Sequence, residues 1–166
     1  KGEDCTHGNC DRRGQYLGAV TDLLVNDLEW MVGQWAPGEA GNYRHELLTE
    51  APQQVFQKML FGMGSLSLGE LAGERLKVAL EANSYEDEHD CFSDNTHNSH
   101  FYNAKGVQNI YLGTYTTTGG EELSGPSLSD LMKTRNQGLD QRLRNDLEQT
   151  MSVLAIMKQT AENSKE

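Results

Sequence analysis

The sequence predicts an all-α, up-and-down helical bundle. Three long segments, residues 12–35, 51–82 and 139–162, repeat apolar residues at spacings of three and four, which places them on one face of an α-helix. Only residues 114–120 have a β-rich composition, and a single short run does not make a sheet. We therefore expect one helical domain in this chain of 166 residues, with a Cys-containing loop at 1–11 and the bundle at 12–166.

Composition restricts the partners of this domain. The net charge of −11 opposes nonspecific binding to nucleic-acid phosphates, so we expect no nucleic-acid partner, while metal cations and basic partners remain compatible. No apolar run approaches the roughly 20 residues of a membrane helix, so no transmembrane segment is expected. A hydrophobic fraction of 36% is low, which indicates that some helices are thinly covered, or that a partner or a missing segment supplies part of the core.

The first helix is predicted over 12–35, with Asp11 as its N-cap and Pro37 ending it. Its apolar line comprises Leu17, Val20, Leu24, Leu28, Met31 and Trp35. Residues 36–50 are predicted to be a polar connection. Within it, His45-Glu46-Leu47-Leu48-Thr49 begins like a zinc-protease helix but lacks the second histidine.

Residues 51–82 are predicted to form one long helix or two joined head to tail. Glycines weaken a helix interior, so close packing over Gly69 and Gly73, or a bend at 62–65, is expected to offset their cost. At helical spacing Glu70 and Glu74 share a face. They either point inward beside apolar neighbours or form a solvated stripe.

The second half of the chain carries clear capping residues. A helix of roughly fifteen residues is predicted to start at Asp94 or Asn95 and to end at Gly113, followed by a loop or short hairpin arm. Ser127 is expected to cap a short helix over 127–134, with Asp130 at the capping-box position. The last helix is predicted over 139–162.

Chemistry is concentrated in one stretch, Tyr85–His100. It holds five carboxylates, three of the five histidines and one of the three cysteines. One interpretation is a site for a divalent ion or iron, since Glu86 and His89 have the Glu-x-x-His spacing of carboxylate-bridged metal bundles, although such bundles need that pair twice. The other is structural: residues 93–96 cap the following helix, and residues 86–88 form a solvated acidic run.

The cysteines indicate a compartment. Cys5 and Cys10 flank a Gly-Asn turn that could bring two thiols within bridging range and leave Cys91 unpaired, and a short disulfide loop favours an exported protein. The alternative is three reduced thiols in a cytosolic protein. Because the chain begins at Lys1 without a methionine, we expect a processed form or a fragment.

Three separated motifs resemble the imelysin-like family, also called the M75 peptidase or iron-regulated protein A family. They are Arg12-Arg13-Gly14-Gln15-Tyr16-Leu17, the run from Gly62 to Arg75, and the run from Glu86 to His97. They occur in the family's order, and the resemblance extends through Gly125-Pro126-Ser127-Leu128. It implies an exported, all-α protein of two helical-bundle halves, located in the periplasm or on the outer membrane and associated with iron or haem acquisition.

This chain resembles the C-terminal half of that family. The His-x-x-Glu signature on which a peptidase assignment rests belongs to the first half and is absent here. The resemblance implies that polar groups of both halves meet in a cleft, where those of the second half hold an ion or ligand or support the groups that do, with Arg75 balancing the carboxylates. The matching positions are Glu70, Glu74, Arg75, Glu86, His89, Ser93, Asp94 and His97.

The function expected from this resemblance is a non-enzymatic, exported binding component of iron, metal or haem acquisition. Iron or zinc is the expected cofactor or ligand. A missing N-terminal half or a homodimer partner is expected to complete the site. The alternatives are a zinc-dependent M75-type metallopeptidase and a non-catalytic protein-interaction bundle.

Overall fold

The structure is a computed structural model and describes residues 8–164. It confirms the all-α class, with one small hairpin added. The elements are α1 (Cys10–Trp35), α2 (Tyr43–Thr49), α3 (Pro52–Gly64), a π-helix (Ser65–Lys77), α4 (Val78–Ala82), α5 (Thr96–Leu112), β1 (Thr114–Thr116), β2 (Glu122–Ser124), α6 (Leu128–Arg135) and α7 (Gln137–Asn163). The chain forms two compact units that divide between Gln57 and Lys58.

Helix α1 of the first unit starts two residues earlier than predicted. Asn9, in the left-handed conformation with φ of 57°, occupies the N-cap position, and Asp11 lies inside the first turn. The prediction of Asp11 as the N-cap was therefore wrong, although an acidic residue in the first turn still favours the positive end of the helix dipole. The predicted end is confirmed, since Ala36 before Pro37 is extended.

The polar connection contains a helix that the sequence analysis missed. Asn42 explains it, because its side-chain oxygen accepts a hydrogen bond from the His45 amide at 2.9 Å and caps α2. The same side chain donates to the carbonyl oxygens of Gly33 at 3.0 Å and Ala36 at 2.9 Å. The buried side chain of Asn42 thus forms hydrogen bonds both with the end of α1 and with the start of α2.

The long segment is helical without interruption from Pro52 to Ala82, but its middle is a π-helix. The expected close helix packing over Gly69 and Gly73 is not found. A Cβ atom at Gly69 would meet nothing within 4 Å, and one at Gly73 would meet only the Leu68 carbonyl of the same helix, at 3.0 Å. The wider π-helical backbone therefore explains the glycine at position 73 better than a neighbouring helix does.

Helix α5 confirms the prediction between the acidic stretch and Gly113. Asn95 occupies the N-cap position without a side-chain cap bond, and Gly113 ends the helix with φ of 64°. Strands β1 and β2 then form the hairpin, with Tyr115 opposite Leu123. The short-hairpin prediction is confirmed.

Helices α6 and α7 are joined by a buried polar cluster. The capping box at Ser127 and Asp130 is present as predicted. Asp140, only 2% exposed, accepts hydrogen bonds from Tyr111 at 2.8 Å and from Ser129 through one oxygen, and from Arg144 at 3.1 Å through the other. Arg144 also donates to Ser129. This polar cluster fixes α5, α6 and α7 together.

The apolar core of the second unit is small. Leu71 of the π-helix, Ala104 of α5 and Leu154 of α7 are buried together. The partly buried residues around them are Leu76, Phe101, Met151 and Met157. The methionines of α7, Met151 and Met157, therefore fill space at the edge of this core.

Two predictions concern the cysteines and the membrane. Cys10 is disulfide-bonded and Cys91 is free. Cys5 lies outside the described residues, so its pairing stays a prediction.

Within residues 8–164, no helix combines the length and apolar character needed to cross a membrane.

Candidate functional site

A cleft of about 580 Å³ opens in the second unit where the acidic stretch meets the helices. The C-terminal part of the π-helix and α4 form one wall, the first turns of α5 another, and the C-terminal part of α7 a third. Its charged and imidazole side chains are Arg75, Glu88, Asp94, His97 and His100. Leu76, Leu80 and Met157 give it an apolar side.

The loop before α5 is held in place by Asp90. Its backbone amide donates to the Thr96 hydroxyl at 3.1 Å, and its carboxylate accepts a hydrogen bond from Ser99. Asp94 adopts the left-handed conformation with φ of 52°, which aspartate tolerates better than most residues and which turns the chain into α5. Residues 93–96 were expected to cap α5, but Asn95 at the N-cap position makes no side-chain cap bond, and Thr96 instead accepts a hydrogen bond from the Asp90 amide.

Two histidines on α5 form the floor of the cleft. His97 and His100 are three residues apart, so they lie on one helix face, and they are 7% and 2% exposed. The Nε2 atom of His97 lies 3.2 Å from the Asn98 side-chain amide. The Nδ1 atom of His100 is buried and has no hydrogen-bond partner within the described part of the chain. A buried polar atom without a hydrogen-bond partner destabilises the folded state unless a ligand or a water molecule forms a hydrogen bond with it.

The surroundings of His100 favour its neutral form. Burial lowers its pKa most, His89 and Arg75 lower it further, and Asp90 and Glu88 raise it. The His89 ring stacks on it at 6.3 Å between centroids, with 28° between the planes. A neutral imidazole has one N–H donor and one lone pair, so the unpartnered Nδ1 atom of His100 can still donate or accept one hydrogen bond.

Arg75 provides the positive charge of the cleft. Its Nη2 atom lies 3.3 Å from Glu70 Oε2, and its side chain is 22% exposed, which leaves the guanidinium access to solvent. The pair forms because the π-helix bonds residues five apart. Glu70 does not itself line the cleft. Its contribution is to position the Arg75 side chain, which does.

The structure brings together only some of the predicted site residues. Arg75, Asp94 and His97 line the cleft, and His89 contacts it through His100. Glu74, Glu86 and Ser93 are exposed and do not line it. Tyr85 donates to Glu86 at 3.4 Å, and Ser93 donates to the Asp90 carbonyl at 3.3 Å.

His100 and Glu88 are the residues that the sequence analysis left out of the site. The spacing of His100 from His97 would have indicated it, because both lie on the buried face of the same predicted helix. Nothing in the sequence distinguishes Glu88 from its acidic neighbours.

A metal ion held by a protein requires a defined number of ligands. Structural zinc takes four protein ligands and catalytic zinc three. Within residues 8–164, no group of three or more His, Cys, Asp or Glu side chains is placed to hold a metal ion. A bare ion therefore has no complete set of ligands among these residues as they are arranged.

The fold and the cleft define a class: an all-α protein with a mixed arginine, histidine and carboxylate cleft at one end of a helical unit. The family model of imelysin, peptidase family M75, matches residues 3–166. The chain therefore belongs to the imelysin family, as its motifs predicted. A comparison with curated proteins finds no match.

Proposed function

We propose that this chain is a non-enzymatic binding component of iron, metal or haem acquisition, exported to the periplasm or the outer membrane. Family membership supports the class of protein. The observation that carries the proposal is His100, which lines the cleft and whose buried Nδ1 atom has no hydrogen-bond partner among the described residues. A bound ligand would satisfy this atom.

The chemistry of the cleft favours iron in complexed form over a bare ion. The described residues do not supply three metal ligands, whereas a complexed ion brings ligands of its own. Arg75 would attract the anionic groups of such a complex, and Leu76, Leu80 and Met157 would contact its apolar parts. Haem and organic iron chelates both belong to this class.

The metallopeptidase alternative gains no support from the geometry. A catalytic zinc needs three protein ligands and an open position, and the cleft offers no such group among residues 8–164. The family's peptidase name is therefore the only support for that activity.

Calorimetric titration tests the proposal. Wild type, His97→Ala and His100→Ala are titrated with ferric citrate, zinc chloride and haemin, with His45→Ala as a control because that histidine is exposed on α2. We expect binding of at least one probe, about 10- to 100-fold weaker in both cleft variants and unchanged in the control. Identical isotherms for all four proteins would show that the cleft is not the site.

A further inference from the structure

The charged side chains that line the cleft are unequal in number. Arg75 is the only basic residue among the described residues that line it, whereas Glu88 and Asp94 supply two carboxylates. The guanidinium of Arg75 is already partly compensated, because Glu70 Oε2 lies 3.3 Å from its Nη2 atom. The cleft therefore carries an excess of formal negative charge, within a chain whose net charge is −11. Such a field favours a ligand with positive charge.

Glu88 is a half-buried carboxylate without a cationic partner among residues 8–164. Its backbone amide donates a hydrogen bond to the Tyr85 carbonyl oxygen at 3.2 Å, which fixes the residue in the loop before α5. The residue lines the cleft, and its charge reaches the interior, since it raises the pKa of the buried His100. A charged group partly removed from water is stabilised by an opposite charge, so Glu88 can bind a cationic group of a ligand.

A carboxylate and a guanidinium both act on the His100 ring. Glu88 raises the pKa of this imidazole and Arg75 lowers it, so both charges lie within electrostatic reach of one ring. The imidazole is 2% exposed, and its Nδ1 atom has no hydrogen-bond partner within the described part of the chain. A ligand that matches this arrangement carries both a cationic and an anionic group.

Two simpler classes of ligand fit the cleft less well. A bare metal ion would meet carboxylates, but the described residues place no group of three His, Cys, Asp or Glu side chains to hold it. An anionic chelate would meet more carboxylates than guanidinium groups. An organic cation has neither problem, and its apolar parts can contact Leu76, Leu80 and Met157. The cleft volume of about 580 Å³ lies within the range of pockets for such molecules.

We propose that the ligand of this cleft carries a protonated amine that pairs with Glu88, and that the cleft therefore selects cationic or zwitterionic iron complexes over anionic ones. An anionic or polar oxygen of the same ligand would bind Arg75. This selection rests on the proposed function, since it assumes that the cleft binds complexed iron. Hydroxamate chelates with a free amine are a chemical class that has these properties.

Calorimetric titration with one iron chelate in three charge forms tests this selection. The chelate is ferrioxamine B, whose iron is held by hydroxamates and whose free amine is protonated at neutral pH. Acetylation of the amine removes the positive charge, and succinylation replaces it with a carboxylate, while the iron centre stays the same. With the full chain, we expect the acetylated form to bind about 3- to 10-fold more weakly than the free amine, and the succinylated form to bind more weakly still.

Glu88→Gln assigns the selection to one carboxylate. In this variant the free-amine and acetylated forms should bind with affinities within about twofold of each other, because the amine has lost its partner. Asp87→Asn removes the same charge at an exposed neighbouring position that does not line the cleft, and should keep the wild-type preference. An equal loss of preference in both variants would attribute the selection to the overall charge of the loop and overturn the role of Glu88.

Failure of this selection can be distinguished from failure of the proposed function. If ferric citrate or haemin binds wild type and the free-amine chelate does not, the cleft binds complexed iron and the preference for an amine is wrong. The same holds if the acetylated or succinylated chelate binds as tightly as the free amine. If none of the probes binds, the proposed function and the preference fail together.

Discussion

Glu70 and Arg75 are five residues apart, and yet the Glu70 Oε2 and Arg75 Nη2 atoms lie only 3.3 Å from each other. In an α-helix, side chains at this separation point about 140° apart around the axis. They meet here because residues Ser65–Lys77 form a π-helix, whose backbone bonds link residues five apart. The backbone register thus places a guanidinium at the cleft and a carboxylate behind it.

The first prediction separates stability from binding at this pair. Glu70→Gln should lower the free energy of unfolding by less than about 1 kcal/mol, because the two side chains are 22% and 47% exposed and solvent screens them. The free energy of ligand binding should change by more than the free energy of unfolding, since Arg75 loses the group that positions it. Denaturant unfolding and calorimetry with the probe that binds wild type measure the two effects.

Glu74→Gln is the matched control for this prediction. It removes the same charge from the same helix at an exposed position that does not line the cleft. We expect neither stability nor affinity to change. An equal loss of affinity in both variants would mean that net charge, and not the position of Arg75, controls binding.

Sequence predicted the helices well because apolar periodicity and caps are local properties. Element boundaries follow within a few residues from Gly113, from Ser127 and from the apolar spacing of three and four along α7. Helix α2 was not predicted, since its cap Asn42 acts partly through hydrogen bonds to the end of α1. The π-helix was not predicted because Glu70 and Glu74 fit an α-helical periodicity.

The candidate site was predictable in part for a related reason. His97 and Arg75 follow from motifs, but the importance of His100 depends on its burial and its unused Nδ1 atom, which only tertiary packing determines. The polar cluster around Asp140 joins residues from three helices, at 111, 129, 140 and 144, and no local pattern brings them together.

The second prediction concerns the polar cluster around Asp140. Ser129→Ala removes a fully buried hydroxyl that donates to Asp140 and accepts from Arg144. It should lower the free energy of unfolding by about 1–3 kcal/mol, because the remaining buried groups lose a partner. Ser152→Ala, at an exposed position on α7, should change it by less than about 0.5 kcal/mol. Equal effects in urea unfolding would contradict a structural role for this cluster.

The third prediction is spectroscopic and concerns the same cluster. Burial and the hydrogen bond to the Asp140 carboxylate raise the pKa of Tyr111 to about 12. Ultraviolet titration should therefore show one tyrosine that ionises above the ordinary value of 10.0, and Tyr111→Phe should remove that late step. A titration curve unchanged by the substitution would place the cluster in a different arrangement.

The fourth prediction follows from the neutral His100. Because its pKa is lowered in the folded state, the unfolded chain binds more protons near pH 6, and stability is lost as pH falls through the unfolded value of 6.5. Between pH 8 and pH 5 wild type should therefore lose more free energy of unfolding than His100→Gln. The groups facing this ring are His89, Arg75, Asp90 and Glu88. Parallel stability curves would show that the imidazole titrates alike in both states.

The fifth prediction tests the turn that ends α5. Gly113 has φ of 64°, and a Cβ atom there would lie 2.7 Å from the Gly125 carbonyl oxygen and 2.9 Å from Ser127 Cβ. Gly113→Ala should cost at least about 1–2 kcal/mol for the left-handed backbone alone, and the contacts add to it. Gly18→Ala has no atom within 4 Å and lies inside α1, so it should stabilise the chain by about 0.5–1 kcal/mol. Thermal and urea unfolding of the two variants should shift in opposite directions, and a shift in the same direction would contradict the backbone assigned to Gly113.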